Sequence, residues 1–287
     1  MKDKKSMTKR LFLFAGYDAG GIIDASMIYY IHSLSKLGDI IFVMDSDIKR
    51  NELNKIKKYC LYSVATRHNE YDFGSYKRAF VWAHKNLDLK KYDYMYMVND
   101  SVYGPLYDID NYLKEMESWG TDAFGLIKNP KKTHPHIQSW FIGMHKKVFN
   151  TKWFYKFIID VKHQKSKGLI TSLYEHGFTK NLILNNNTWR CMYSVPGRGI
   201  YNKIKKLYEQ KMPFIKKAAF TRHDGALGQK IKYILAHIPK NLSDAIIENA
   251  CRVYGKEYIT GILNRNALSC FVHNIKYGFK KLITGKL

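Results

Sequence analysis

Asn99-Asp100-Ser101 puts three short polar side chains between the strand-like run Tyr94–Val98 and the segment Val102-Tyr103-Gly104-Pro105-Leu106, which stops the strand and turns the chain. In open α/β sheets ligands bind just beyond the carboxyl ends of strands. Asp100 therefore stands where a phosphate-bound metal would be held, although the three residues equally suit a plain turn or helix cap. Asp45 and Asp47 close a second apolar run, Ile40–Met44. Acids at such tips accept hydrogen bonds from a ribose or a base, ligate Mg²⁺ or Mn²⁺, or remain solvated turn residues. A third polar stretch, Arg67 to Lys77, leads into a helix over Arg78–Lys85 with Asp72 or Ser75 as its cap. Helix N-termini attract anions, and Arg67 and Lys77 add cations beside this one. His134 and His136, two apart on a strand, share a face that suits a metal. Pro135 between them and the lack of a third nearby ligand count against that.

These residues need a scaffold, and the apolar pattern supplies one. Arg10–Ala15 reads as a first strand, Ile22–Leu37 as a helix, Ile40–Met44 as a second strand, Asn51–Lys58 as a helix and Cys60–Ala65 as a third strand. Strand alternating with helix is the pattern of a parallel, helix-covered sheet. Gly20-Gly21 lacks both the G-x-G-x-x-G spacing and the terminal Gly-Lys-Ser/Thr of a P-loop, so neither glycine cradle is present. His134–Phe141 starts another strand. Trp189–Val195 reads as a last strand. We divide the chain into an α/β domain over residues 1–200, the candidate catalytic part, and a basic, mostly helical region over 201–287.

Composition narrows the classes. Of the net charge of +24, residues 201–287 carry half, with 17 Lys and Arg against 5 Asp and Glu. Such a surface suits nucleic acid, an anionic membrane or phosphate-bearing substrates, and composition alone does not choose. No apolar run reaches the roughly 18 residues of a membrane span, and Leu11–Ala15 is too short for a signal-peptide core. A cytoplasmic protein is expected. Cys60, Cys191, Cys251 and Cys270 have no metal-ligand spacing, which predicts neither disulfide nor zinc at the cysteines. From Arg265 onward, Leu268, Phe271, Val272, Ile275, Phe279 and Leu282 recur at helical spacing among Lys276, Lys280, Lys281 and Lys286. That pattern reads either as an interfacial helix on the inner face of the cytoplasmic membrane or as a basic helix docked on the catalytic domain.

Four blocks resemble the rhamnan-synthesis F family of bacterial cell-surface polysaccharide proteins: residues 14–37 with 39–47, Asn69–Lys77, Tyr92–Leu106 and His136–Phe149. Asn-Asp-Ser-Val-Tyr-Gly-Pro-Leu is the most specific of them, and Tyr174–Gly177 is a weaker fifth. One departure is Glu70 directly before Tyr71, where many members have glycine. The resemblance implies a GT-A-like α/β fold, a Rossmann-type mixed sheet flanked by helices, with a basic helical C-terminal region. It implies a glycosyltransferase using a nucleotide sugar, dTDP-rhamnose in the best-known members.

Sugar transfer passes through an oxocarbenium-like transition state, and its leaving nucleoside diphosphate gathers negative charge that a divalent ion or a cluster of Lys and Arg must stabilise. The acceptor hydroxyl needs a separate base. On the family pattern Asp100 matches the metal-binding acid, although Asn-Asp-Ser replaces Asp-x-Asp and leaves a metal-light mechanism open. Asp45, Asp47, Arg67, Asn69, Asp72, Gly74, Lys77, Asn99 and Ser101 would form the donor side. Lys216 and Lys217, in a short family-like element over Pro213–Lys217, would contact the donor diphosphate. Glu175 resembles the base of inverting members, with Asp160 as competitor, and His136, Gln138, Ser139 and Trp140 would face the acceptor. Thr221-Arg222-His223-Asp224-Gly225 would add a late metal-binding His.

The sequence thus predicts transfer of a sugar, with inversion, from a nucleotide-sugar donor to a cell-surface polysaccharide or lipid-linked oligosaccharide, with Mg²⁺ or Mn²⁺ as the candidate cofactor. The rivals are a non-catalytic basic protein binding RNA or membrane and a polysaccharide-modifying phosphotransferase. Nucleic acid is not expected, because no RNA-recognition motif occurs and strand-tip acids repel phosphates.

Overall fold

The computed structural model of the protein describes residues 8–222, 226–266, 268–272 and 275. In order, the elements are β1 (Arg10–Gly16), α1 (Ala25–Ser35), β2 (Asp39–Met44), α2 (Arg50–Asn54), β3 (Tyr62–Ala65), α3 (Tyr71–Asn86), β4 (Tyr94–Asn99) and β5 (Val102–Tyr103). Then come α4 (Ile109–Ser118), β6 (Ala123–Asn129), β7 (His136–Ile137), β8 (Phe141–His145), α5 (Lys146–Phe149), α6 (Lys152–Ile159), α7 (Lys167–Ile170), α8 (His176–Leu184) and β9 (Trp189–Ser194). The remainder is α9 (Gly199–Asn202), α10 (Ile204–Glu209), β10 (Ile215–Lys216), α11 (Leu227–Leu235), α12 (Lys240–Tyr254) and α13 (Lys256–Asn264).

An eight-stranded mixed sheet runs β3-β2-β1-β4-β8-β6-β7, with β9 beside β6. β3, β2, β1 and β4 are mutually parallel, and β8 is antiparallel to both β4 and β6. The sheet is therefore mixed and flanked by helices, as the GT-A-like expectation requires. β1 and β4 are apolar almost throughout because both of their faces are covered. Side chains alternate between the faces. Leu11, Leu13, Met95 and Met97 pack into a cluster with Phe73 and Phe80 of α3, Phe154 of α6 and Phe178 of α8. Phe12 stacks on Tyr96 at 5.0 Å, and Phe14 meets Tyr30 of α1 edge-on at 5.1 Å. Gly143 of β8 makes room for this aromatic layer, since a Cβ there would lie 2.1 Å from the Phe124 ring.

Several expected boundaries move. α1 starts at Ala25 rather than Ile22, because the Asp18 carboxylate takes the amides of Gly20 and Ile22 and holds them in a loop. α3 starts at Tyr71 rather than Arg78, and no side chain caps it, so neither Asp72 nor Ser75 has the predicted role. The helix predicted over Asn51–Lys58 splits into α2 and one 3₁₀ turn at Lys57–Tyr59.

The described residues divide into two compact units. One takes the residues through Ile23, Tyr30–Asp100 and Ile109–Gly197; the other takes Asp24–Tyr29, Ser101–Asp108 and the residues from Arg198. Helices over 201–264 and the strand pair β5–β10 build the second unit. Its buried Asp24 carboxylate accepts from Met27 N, from Asn249 Nδ2 and, at 2.9 Å, from Arg252 Nη2. Burial opposes ionisation of Asp24, but Lys217, Ser26, Met27 and Asn249 outweigh it and hold the carboxyl below its usual range. Among the described residues no helix is long and apolar enough to cross a membrane.

In the first unit, Arg10 at the amino end of β1 pairs with Glu117 at 2.6 and 2.8 Å, and Tyr96 Oη donates to the same carboxylate at 2.5 Å. Both charged side chains are nearly buried, at 8% and 7% exposure. Removing one partner of a buried pair strands the other charge. Glu117→Ala is expected to lower unfolding free energy by about 3–5 kcal/mol in a urea titration, with Asp110, 3.7 Å from the guanidinium, favouring the lower end.

Candidate active site at the strand tips

The carboxyl ends of four parallel strands line up, since Gly16 is in register with Met44, Ala15 with Asn99 and Met44 with Ala65. The order 3-2-1-4 places a topological switch point between β1 and β4, where α/β sheets bind ligands. Asp45 and Asp100 both leave the sheet here. Asp45 N donates to Gly16 O at 2.9 Å, and Asp100 N to Ala15 O at 3.2 Å.

The acids differ in what occupies them. Asp45 is buried and accepts from His68 N at 2.7 Å and Asn69 N at 3.0 Å, so its carboxylate anchors the loop after β3. Asp47 is 83% exposed and lies 3.9 Å from Arg67 Nε, while the Arg67 guanidinium sits 5.6 Å from the Tyr17 ring centroid. Tyr17, Asp47 and Arg67 thus form an exposed rim at the tips of β1, β2 and β3. Asn69 and Tyr71 adopt left-handed backbone (φ 58° and 57°), which swings the chain from β3 into α3. Glu70, where many family members have glycine, has φ −108° and so needs no glycine. Gly74 sits under this turn because a Cβ would lie 2.2 Å from Glu70 Cβ and 2.8 Å from the His68 ring; packing explains it without a ligand. Lys77 points its ammonium at Val161 O, 2.7 Å away.

His68 is the buried pivot of the turn. Its Nδ1 accepts from Glu70 N at 3.1 Å, which leaves Nε2–H to meet Ser75 Oγ at 3.0 Å. Burial first, then Arg78, push its pKa down to about 4, against the opposing pull of Asp45 and Glu70. The folded state therefore disfavours the protonated ring, and the unfolded chain binds more protons between pH 6.5 and 4. Stability is complete above about pH 6.5 and falls as the pH drops toward 4. Urea unfolding at pH 7 and pH 5 is expected to differ by roughly 1–2 kcal/mol more in wild type than in His68→Gln.

A chain of contacts runs from the donor-side tips to Glu175. Asn99 Nδ2 donates to Asp72 Oδ2 at 2.6 Å, and Asn99 N to Trp140 O at 3.2 Å. Tyr76 Oη donates to Ser139 O at 3.1 Å, and Ser139 gives both N (2.8 Å) and Oγ (2.6 Å) to Glu175 Oε2. Glu175 Oε1 faces His136 Nε2 at 3.4 Å. Burial works against the Glu175 charge, but the bonds from His136 and Ser139 prevail and hold its carboxyl below the usual range. Glu175 ends a single π-helical turn, Thr171–Glu175, a feature common at functional sites. Gln138 Oε1 accepts from Trp140 Nε1 at 2.9 Å, and Trp140 is buried, so it serves as core. Asp160, the competing acid, lies just past the end of α6 and is exposed.

Ser101, Lys216 and Lys217 belong to the second unit, where Lys216 Nζ donates to Ser101 Oγ at 2.5 Å and Lys217 lies 5.6 Å from the Tyr103 ring centroid. His223, Asp224 and Gly225 fall outside the described residues, as do Lys276, Phe279, Lys280, Lys281, Leu282 and Lys286. Sequence reasoning missed Tyr17, His68 and His176. Only Tyr17 carried a signal, as an aromatic directly after a buried strand.

A helix-flanked mixed sheet with acids at its parallel strand tips and a hydrogen-bonded carboxylate across the switch point defines an α/β protein of the ligand-at-the-strand-ends class. More particularly, a family model described as Rhamnan synthesis protein F matches residues 40–274, and the chain belongs to that family. It is 23% identical over 184 residues to the uncharacterized protein y4gN of Sinorhizobium fredii, over 63% of this chain and 48% of that protein. The chain spans about half the length of this curated relative. Among solved structures, TarS of S. aureus is similar at 11% identity and TM-score 0.42, with 90% of each chain covered. Core-mannan synthase A of Aspergillus fumigatus, in a Mn/GDP form, is similar at 12% identity and TM-score 0.32, over 55% of this chain and 64% of that one.

Proposed function

We propose that the protein is a nucleotide-sugar-dependent glycosyltransferase of surface-polysaccharide synthesis, acting on a glycan or lipid-linked glycan acceptor with inversion, and with rhamnose as the first sugar to test. The observation that carries this reading is the pair of hydrogen-bonded groups Asp72–Asn99 and Tyr76–Ser139–Glu175 at the strand tips, in a chain of the Rhamnan synthesis protein F family. On this reading the donor diphosphate lies at Asp100, with Asn99 and Asp72 beside it and the Tyr17–Arg67 rim toward the nucleotide. Asp45 and His68 hold the loop rather than touch donor.

Glu175 takes the proton of the acceptor hydroxyl as that oxygen bonds the anomeric carbon. On the opposite side of that carbon the bond to phosphate breaks, and the nucleoside diphosphate leaves with the electron pair. Attack from the face opposite the leaving group gives inversion. Glu175 suits this role because it is ionised and oriented by Ser139. Asp100 offers one hard oxygen ligand, and no group of three metal-ligating side chains among the described residues includes it. That fits an ion of the Mg²⁺ or Mn²⁺ kind, held mainly by substrate phosphates and water. When bound, such an ion supplies charge stabilisation to the departing diphosphate.

The decisive experiment is a thermal-shift panel of nucleoside diphosphates and nucleotide sugars with and without Mn²⁺. Stabilisation by at least one donor is expected, and silence across the panel sinks the reading.

We further propose a peripheral location on the inner face of the cytoplasmic membrane. Leu268 and Phe271 are 72% and 63% exposed, and Val272 and Ile275 are exposed beside them. Liposomes rich in anionic lipid are expected to float the full chain and to lose the form ending at Asn264. Equal flotation of both removes the tail from this role.

A further inference from the structure

His136, Glu175 and His176 converge although the last two lie 39 and 40 positions after the first, and their ligand atoms lie within 4.8 Å of one another. His136 is buried; Glu175 and His176 are half-buried. Two details distinguish the group from an incidental cluster. His136 Nδ1 lies 2.8 Å from His134 O, and a carbonyl only accepts, so Nδ1 carries the proton. In the neutral ring Nε2 then turns its lone pair toward the Glu175 carboxylate, 3.4 Å away. Two electron-rich atoms facing each other need a cation between them or a second proton on the ring.

The spacing also fits a metal. Bonds of about 2.1 Å from a tetrahedral zinc-class ion put neighbouring ligand atoms about 3.4 Å apart, as found for the His136–Glu175 pair. The His176 ring centroid is 4.1 Å from that of His136, and its ligand atom lies within 4.8 Å of those of His136 and Glu175. Metal-binding histidines typically donate their other ring N–H to a carbonyl or carboxylate, and ligating carboxylates are themselves hydrogen-bonded. His134 O does the first for His136, and the Ser139 amide and hydroxyl do the second for Glu175. The π turn ending at Glu175 lets two consecutive residues, Glu175 and His176, serve one centre.

We propose that His136, Glu175 and His176 form a binding site for a zinc-class divalent cation, separate from the hard-oxygen position at Asp100. Two nitrogens and one carboxylate favour zinc or cobalt over magnesium. Three protein ligands leave a fourth position open to water or another oxygen ligand. Resting on the reading of Glu175 as the base, the site also regulates: a bound ion occupies Glu175 Oε1 and stops proton abstraction, so zinc inhibits transfer and chelation restores it.

The test titrates metal-stripped full-length protein with Co²⁺ and follows its visible absorption bands. Saturation at one equivalent and displacement by Zn²⁺ are expected. His176→Asn should abolish the bands, Ser139→Ala should weaken affinity at least about tenfold, and Asp100→Asn should leave the bands intact. His176 is half-buried, so its variant keeps the test clean where His136→Gln fails to fold. Absence of bands in the wild type, bands that survive His176→Asn, or a His136 ring shown by NMR to hold both protons at neutral pH with Co²⁺ present each overturn the proposal. Donor stabilisation of the metal-stripped protein is read separately. Co²⁺ bands without donor binding leave the site standing and remove the transferase reading; donor binding without bands does the reverse.

Discussion

Glu175→Gln is expected to lower sugar transfer by about 10²–10⁴-fold, the usual contribution of a positioned base, while nucleotide-sugar binding is retained. The local geometry makes this the clean variant. The carboxamide oxygen of Gln can accept from Ser139 N and Oγ, where Glu175 Oε2 now sits. Its NH₂ can then donate to Nε2 of a neutral His136 ring, the atom that faces Glu175 Oε1 in the wild type. Every polar group keeps a partner, so folding stability should stay within about 1 kcal/mol. Glu175→Ala instead leaves the half-buried Ser139 donors without their acceptor and costs about 1 kcal/mol or more, which confounds any loss of activity. The measurements are initial transfer rates beside donor-induced thermal shifts. Unchanged rates in Glu175→Gln would remove this residue as base, and lost donor shifts would move it to the donor side. Because Glu175 is held below the usual carboxylate range, its ionisation does not limit rates near neutral pH, and its acid limb lies below about 4.5.

What was legible in the sequence was local. Continuous apolar runs gave β1, β2 and β4, and the turn chemistry after each run located Asp45 and Asp100 at strand tips, where both are found. Helix starts were less legible, because α3 begins with Tyr71 in left-handed backbone and its cap positions carry no side-chain bond. The roles of Asp45 and Lys77 were hidden for a different reason. Asp45 spends its carboxylate on amides 23 and 24 residues away, and Lys77 its ammonium on a carbonyl 84 residues away. Spacing along the chain encodes neither. The His136 pairing shows the limit most plainly. A search for ligands near His134 and His136 finds none, since the partners arrive from the end of the π turn after α7 and the start of α8. The alternating sequence around His136 fixes its strand, but only the packing of α8 against β7 brings Glu175 and His176 to it. Likewise nothing in the local sequence marks 24–29 and 101–108 as part of the second unit, which they join through Asp24 and β5.

Asp100→Asn should separate the two ways this residue can serve a diphosphate, because they predict opposite signs. Asp100 is buried at the tip of β4, and its backbone is fixed to β1, so the isosteric amide changes charge more than shape. Acting through Mn²⁺, the carboxylate attracts the ion that bridges to the phosphates, and its loss weakens donor binding and stops transfer. Without metal, the same carboxylate only repels the diphosphate. At an effective dielectric near 20, two unit charges about 6 Å apart interact by roughly 3 kcal/mol, and screening reduces this to a several-fold effect on affinity. We therefore expect Asp100→Asn to bind nucleoside diphosphate more weakly than wild type in Mn²⁺ and more tightly in EDTA, with transfer down by at least about 10²-fold. Calorimetric titration under both conditions reads the sign directly. Weaker binding in both would mean that Asp100 orients the sugar through hydrogen bonds, and tighter binding in both would take the metal away from this corner of the site.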